Sequence, residues 1–249
     1  MKFSDHFSTE SDSYRAFRPE YPASLFEYLA AQAPSHERAW DCGTGNGQAA
    51  GILAQTFSQV VASDASAEQI SQAPPTTNVE FRVATAEASG LAAGSIDLIT
   101  VAQAFHWFDH SKFYRECIRV AKSNAKLAIW TYKLANISDS VDPIVASLHR
   151  DIVGPYWPAE RELVESGYAG IKLPFRELET PSFAITAEWG LLHLLGYLRT
   201  WSASKRYQQE TGEDPVKSIS QELALAWGNP MSKKVVCWPM PLRLFTIAP

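Results

Sequence analysis

"AWDCGTGNGQAAGILAQTF", residues 39–57, is the stretch on which the fold turns. An apolar lead ends in Asp41. Glycines follow at every second position, Gly43, Gly45 and Gly47, and then a run with apolar residues at helical spacing. A strand that passes through a glycine turn into a helix is built for a nucleotide-like ligand. Glycine lets the backbone turn tightly and leaves no Cβ in the ligand's way. In the dinucleotide fingerprint the third glycine comes three residues after the second, and a pyrophosphate sits at the helix start. Here the third comes two after the second. Asp41, two residues before the first glycine, would repel a pyrophosphate and attract an ammonium group. The loop therefore suits a ligand with cationic groups and no phosphates.

Outward from this stretch the chain alternates. "ASLFEYLAAQA" (23–33) has helical apolar spacing and stops at Pro34. "RAWDC" reads as a buried strand, "GQAAGILAQTF" as a helix and "QVVASD" as a strand. "SAEQISQA" reads as a helix with Ser66 as its N-cap. "NVEFRVAT" and "SIDLITVAQ" read as strands, "SKFYRECIRVAK" as a helix and "AKLAIWTY" as a strand. Strand–helix alternation with short links implies an α/β fold. We expect a doubly wound, mostly parallel seven-stranded sheet with helices on both faces.

The rhythm breaks after Tyr132. Residues 133–185 carry Pro143, Pro155, Pro158 and Pro174 and no strand–helix period. "TAEWGLLHLLGYLRTWSASKRYQQ" (186–209) reads as one apolar-periodic helix with a basic, aromatic tail. "KKVVCWPMPLRLFTIA" (233–248) regains strand character, with Pro239 and Pro241 marking an edge or a turn. The expected organisation is an N-terminal lid and first helix over 1–33 and a cofactor-binding core over 34–132. A mainly helical cap inserted over 133–232 follows, then a C-terminal strand (233–249) returning to the sheet.

Composition narrows the function. The chain has 249 residues, 46% hydrophobic and 20% charged, enough for one large domain with a real core. A net charge of −5 argues against nucleic acid as a partner. Cys42, Cys117 and Cys237 are widely spaced and form no metal or disulfide pattern. There is no run long and apolar enough to span a membrane, nor a signal-like N-terminus, so a cytoplasmic protein acting on a small-molecule substrate is expected. Nothing in the composition addresses the oligomeric state. Eight Trp and nine Tyr supply either an aromatic-lined pocket or simply core.

Three further features follow the glycine loop. Asp64 ends the second strand, where a carboxylate can accept hydrogen bonds from both ribose hydroxyls. "ATAEASGL" puts Glu87 after the third strand, and "AQAFHWFD" follows the fourth. In an open parallel sheet all four loops meet outside the carboxyl ends of the strands. Asp97, opening the fourth strand, reads as a structural hydrogen-bonding residue. Trp107 and Phe108 read as pocket wall or core.

Taken in order, "DCGTGNGQ", "ASDAS" and "ATAEASGLAAGSIDLITVAQAFHWFD" resemble the motifs of class I, Rossmann-like S-adenosylmethionine-dependent methyltransferases. The subgroup resembled is the small-molecule set that includes the trans-aconitate methyltransferases, with "YRAFRPEYP" and "GYLRTWSASKRY" fitting it as well. The resemblance implies S-adenosyl-L-methionine as cofactor. It implies that Asp41 lies near the methionine amino group, with the Gly43, Thr44 and Gly45 backbone and Gln48 around the methionine moiety. It places Asp64 on the ribose, Ala65, Ala86 and Glu87 around the adenine, and Gln103, Phe105 and His106 near the sulfonium. Tyr14 and Arg18 resemble lid residues that reach the cofactor carboxylate or the substrate. Cys42 stands where many members carry an aliphatic residue.

The expected reaction is methyl transfer to a small molecule, at a carboxylate or hydroxyl of an anionic metabolite. His106 is either a general base with a pKa near neutrality or a packed histidine. Arg199, Trp201, Lys205 and Arg206 are either a solvated helix end or, through Trp107, Arg199, Trp201 and Arg206, a clamp for an anionic substrate. A non-catalytic cofactor-binding module and a nicotinamide-dependent oxidoreductase are the alternatives.

Overall fold

The structure, a computed structural model, describes residue 17 and residues 19–247. Five parallel strands form the centre: β1 (Arg38–Cys42), β2 (Gln59–Asp64), β3 (Val79–Val83), β4 (Ile96–Ala102) and β5 (Ala121–Trp130). With β6 (Arg176–Leu178) and β9 (Leu242–Thr246) they make a seven-stranded sheet in the order β3-β2-β1-β4-β5-β9-β6. β9 is antiparallel to both neighbours, pairing Thr246 with Lys126 on one side and with Arg176 on the other. An antiparallel strand wedged in here departs from the all-parallel order of dinucleotide-binding sheets.

Both faces of the sheet are buried, because successive side chains of a strand point to opposite sides. On β5, Ala128 and Trp130 join one core while Leu127 and Ile129 join the other. The first core is covered by α1 (Ala23–Gln32), through Leu25, Phe26 and Leu29, and by α2 (Gln48–Leu53). The second is covered by α4 (His110–Val120), through Phe113, Cys117 and Val120. Trp40 is wholly buried there and satisfies its indole N–H on Ser63 Oγ at 2.9 Å. α3 (Ala67–Ser71) starts at Ser66, whose hydroxyl accepts from the Gln69 N–H as its cap. Asp97 holds the lower rim together: it accepts from Ser35 Oγ, the Arg38 N–H and Lys122 Nζ.

Beyond Tyr132 the structure corrects several expectations. Helices predominate in 133–232: α5 (Asp142–Ser147), a π-helical turn at 148–152, α6 (Arg161–Glu165), α7 (Leu191–Arg199), α8 (Ser202–Thr211) and α9 (Pro215–Trp227). The segment also contributes two strands, β6 in the main sheet and β7 (Phe183–Trp189). The single helix expected over 186–209 is therefore a strand end and two helices. Ile185 and Trp189 are buried while Thr186 and Glu188 face out, a strand's alternation that the leucines of 191–198 hide. Gly190 ends the strand, and an extended Trp201 separates α7 from α8.

The C-terminal stretch is likewise two strands. β8 (Lys234–Met240) pairs with β7 in a separate two-stranded sheet, Pro241 breaks the run, and only β9 enters the main sheet. No helix among the described residues is long and apolar enough to cross a membrane.

Candidate functional site

The glycine loop leaves β1 and doubles back beneath β2. Gly43 and Thr44 donate their N–H groups to the Ser63 carbonyl at 2.8 and 3.0 Å. Gly43, Gly45 and Gly47 hold φ of 70°, 56° and 86°, where an L side chain is strained. Gly43 and Gly47 are needed for packing as well: a Cβ on Gly43 would stand 2.4 Å from Ala104 Cβ, and one on Gly47 2.7 Å from the Phe81 ring. A Cβ on Gly45 meets nothing nearer than 3.6 Å, so this glycine leaves the loop open to a ligand.

Asp41 lies near the end of β1. Its side chain is fully buried under the loop. Oδ1 accepts from Thr100 Oγ1 at 2.8 Å, and Oδ2 accepts from Thr44 Oγ1 at 2.5 Å. Burial pushes its pKa up to about 6, against the hydroxyls of Thr44 and Thr100 and the Ala50 N–H, which favour the charged form. Asp41 thus braces the loop from below and presents charge rather than contact to the cleft. The signal for Thr100 was in the sequence: it is the polar residue in the buried middle of β4, and it stands directly opposite Asp41 in the β1–β4 register.

Asp64 stands at the tip of β2, part-exposed, and accepts from the Gly45 N–H and the Ser66 N–H, both at 2.9 Å. Ala65 beside it is part-exposed and Ala86 is buried. Glu87 accepts from the Asp109 N–H at 2.8 Å, tying the β3 loop to the start of α4. Gln48, at the head of α2, donates to the Pro19 carbonyl at 3.1 Å and so holds the incoming N-terminal chain against the glycine loop. Tyr14 and Arg18 lie outside the described residues.

After β4 the chain is strained. Gln103 has a φ of 57°, and its amide oxygen accepts from Thr131 Oγ1 at 2.6 Å. Positive φ on a non-glycine residue costs on the order of 1–3 kcal/mol and collects at functional sites. Phe105 is wholly buried, its ring stacked on His110 at 4.3 Å and edge-on to Tyr168 at 5.3 Å, so its side chain belongs to the core. Trp107 is at the surface beside His106, ring centroids 4.6 Å apart.

His106 Nδ1 lies 2.9 Å from the Tyr168 hydroxyl. Burial, with the charges of Arg161 and His110 behind it, pulls the imidazole down to about 4. A pKa near neutrality, the premise of a general base here, is therefore not what this environment provides. Tyr168 escaped sequence reasoning because its position, at φ 60° in "SGYAG", is set by packing 62 residues away from its partner.

The basic, aromatic group does not converge. Arg199 donates from Nε to Asp214 Oδ2 at 2.8 Å, on the surface, where Asp214 also caps α9. Trp201 is buried against His149, Trp157 and Tyr197. Arg206 donates from Nη1 to the Tyr156 carbonyl at 3.2 Å. The three side chains have separate partners because residues 200–201 turn α8 away from α7.

What remains at the carboxyl ends of β1–β4 is one rim: Gly43–Gly47, Asp64, Ala86–Glu87 and Gln103–His106. Residues 42–48, 63–68, 83–89 and 102–108 contain no Lys or Arg, while Asp41, Asp64 and Glu87 supply negative charge. Such a rim accepts a cationic, ribose-bearing ligand and discourages a pyrophosphate.

Comparison with known proteins agrees with that chemistry. The family profile described as a methyltransferase domain matches residues 40–129. A methyltransferase-family protein of Dictyostelium discoideum is 34% identical over 230 residues, 91% of this chain and 88% of that one. A solved methyltransferase structure from Anaeromyxobacter dehalogenans superposes with a TM-score of 0.89 at 42% identity, covering 94% of this chain and 99% of that one. A methyltransferase structure from an antibiotic-biosynthesis pathway of Anabaena variabilis, at 15% identity and TM-score 0.55 over 92% of this chain and 99% of that one, shares the fold.

Proposed function

The chain belongs to the methyltransferase family and takes S-adenosylmethionine as its methyl donor; on that premise we propose that its acceptor is a small carboxylate-bearing molecule. The observation that carries the proposal is the state of His106. A hydroxyl or amine acceptor must lose a proton, and a base whose pKa has been drawn down to about 4 removes one poorly. A carboxylate is already ionised at neutral pH and needs no base. The subgroup reading, a small-molecule enzyme like the trans-aconitate methyltransferases, fits the same chemistry.

Bound S-adenosylmethionine supplies a methyl group on a sulfonium that leaves as a neutral thioether, so the chain has no leaving-group charge to stabilise. The residues' work is placement. Asp64, a part-exposed carboxylate at the tip of β2, would take the ribose hydroxyls. Ala65, Ala86 and Glu87 edge the adenine, and the backbone of Gly43, Thr44 and Gly45 with Gln48 holds the methionine end. Asp41, ionised above about pH 6, would supply negative charge to the end of the cleft that takes the ammonium group. Gln103 and Phe105 set the course of the chain after β4. His106, hydrogen-bonded through Nδ1 to the Tyr168 hydroxyl, would orient the acceptor. Orientation of this kind lowers a barrier by roughly 7–11 kcal/mol. Segment 133–232 closes the acceptor side and keeps out water that competes for the methyl group.

The test is transfer of label from methyl-labelled S-adenosylmethionine to a panel of small carboxylates, each paired with its amide and its alcohol. The proposal requires label incorporated with the carboxylates alone and released by mild alkali, as the methyl group of an ester is. Labelled product that resists alkali, from an alcohol or amine acceptor, refutes it.

A further inference from the structure

An open pocket of ≈ 360 Å³ lies between the π-helical turn at 148–152 and α6, and none of the expected site residues lines it. Its walls include His149, Trp157, Arg161, Glu162 and Glu165. π-Turns are rare and recur at functional sites. This one carries His149 inward, where its ring lies 5.0 Å from that of Trp157 and edge-on to Trp201 at 5.5 Å. α6, one wall of the pocket, packs against the 105–107 turn that carries His106.

Arg161 is the unusual member. Its guanidinium carbon sits 4.4 Å over the Trp157 ring, which covers one face of the plane. Nε is buried and makes no hydrogen bond. The surrounding polar contacts are long: 3.5 Å from Nη2 to His149 Nε2 and 3.5 Å from Nε to Glu165 Oε1. His149 is no competitor for the charge, because burial and Arg161 itself pull its pKa down to about 4. Glu165 is half exposed and also faces His149 at 3.5 Å, so it is a loose counter-ion that can swing into water. The side chain keeps a quarter of its surface exposed on the pocket wall. A planar fork, stacked and only loosely partnered, is the arrangement that takes a carboxylate bidentately.

We propose that Arg161 is the residue that recognises the acceptor's carboxylate, in the pocket between residues 148–152 and α6. This rests on the anionic-acceptor reading above and replaces Arg199 and Arg206 in it. Trp157 and His149 would then face the acceptor's apolar body, selecting a carboxylate carried on a flat or unsaturated frame.

The probe is benzoate, with benzamide as its uncharged counterpart. Binding is followed by tryptophan fluorescence and ligand-observed NMR in the presence of S-adenosylhomocysteine. Benzoate is expected to bind the wild-type chain and benzamide not. Arg161→Gln is expected to raise the benzoate dissociation constant about tenfold or more. Arg161→Lys, which keeps the charge and loses the fork, is expected to fall between, and it carries the comparison if the Gln variant does not fold. Glu165→Gln is expected to tighten binding by removing the competitor. Equal affinity in wild type and the Arg161 variants, equal binding of benzamide, or no benzoate binding at millimolar concentration overturns the proposal. S-Adenosylhomocysteine titrated into the same samples separates the failures. Its loss in wild type strikes at the donor site, whereas its retention with unchanged benzoate binding strikes at Arg161 alone.

Discussion

The donor rim and the acceptor side are built in opposite ways. The rim consists of four short loops, each following one of the parallel strands β1–β4, and is pinned by hydrogen bonds between neighbouring strands and loops: Asp41 with Thr100, Gly45 with Asp64, Glu87 with Asp109. The proposed acceptor side is assembled from separate pieces: a π-turn at 148–152, a helix at 161–165, Tyr168, and Trp201 just past the end of α7. A site on strand ends inherits its geometry from the sheet. A site on packed helices depends on many side chains agreeing. Changes at the rim should therefore be large and local, and changes on the acceptor side smaller and more diffuse.

Gly43→Ala tests the rim most severely. It combines positive φ with a 2.4 Å approach to Ala104 Cβ, so a loss of about 2–4 kcal/mol in stability and of S-adenosylhomocysteine binding is expected. Gly51→Ala, whose Cβ meets nothing within 4 Å, should be neutral or stabilising by up to ~1 kcal/mol. Thermal melts with calorimetry decide the pair, and similar losses in both would mean that the loop is no more constrained than the helix after it.

Asp41 offers a pH signature. Its folded pKa, about 6, lies above its unfolded value of 3.8. Between those values the folded chain holds a proton that the unfolded chain has released, so stability falls as pH rises through the window. The loss is complete above pH 6 and amounts to about 2–3 kcal/mol. Denaturant titrations from pH 4 to 7 should show this slope in wild type and a shallower one in Asp41→Asn. Parallel slopes would mean the carboxylate is not buried as described.

At Asp64, replacement by Asn keeps the size and removes two charged acceptors. Affinity for S-adenosylhomocysteine should fall about tenfold or more by calorimetry. Unchanged affinity would take the ribose away from this residue. The smallest effect belongs to the cap. Arg199→Ala removes a surface ion pair and should cost under ~1 kcal/mol, less still at high salt. A rise in acceptor KM instead would bring Arg199 back into the acceptor site and erase the contrast between the two regions.

That contrast is also the boundary of what could be read from the residues. β1 to β5, the Ser66 cap and the four converging loops follow from local patterns, because a parallel strand and its loop declare themselves by an apolar run and a turn. Asp97 could be read as structural for the same reason. β7 could not be separated from α7, since Ile185 and Trp189 alternate only within a longer leucine-rich stretch. The split of the C-terminus into β8 and β9 turned on Pro241. Pro241 signalled a break but not that the two halves join different sheets. The role of Asp41 was half legible: its acidity was plain, but its burial depends on a threonine contributed by another strand.

By itself, then, the amino-acid order determined the donor side: strand, glycines, helix and acids at strand tips are short-range features whose chemistry follows from spacing. Tertiary structure alone decided the acceptor side. It separated Arg199 from Arg206, set Arg161 on Trp157, and aimed the Tyr168 hydroxyl at His106. Tyr168 and His106 stand 62 positions apart, and which side chains meet is settled by how helices pack, not by the pattern along any one of them.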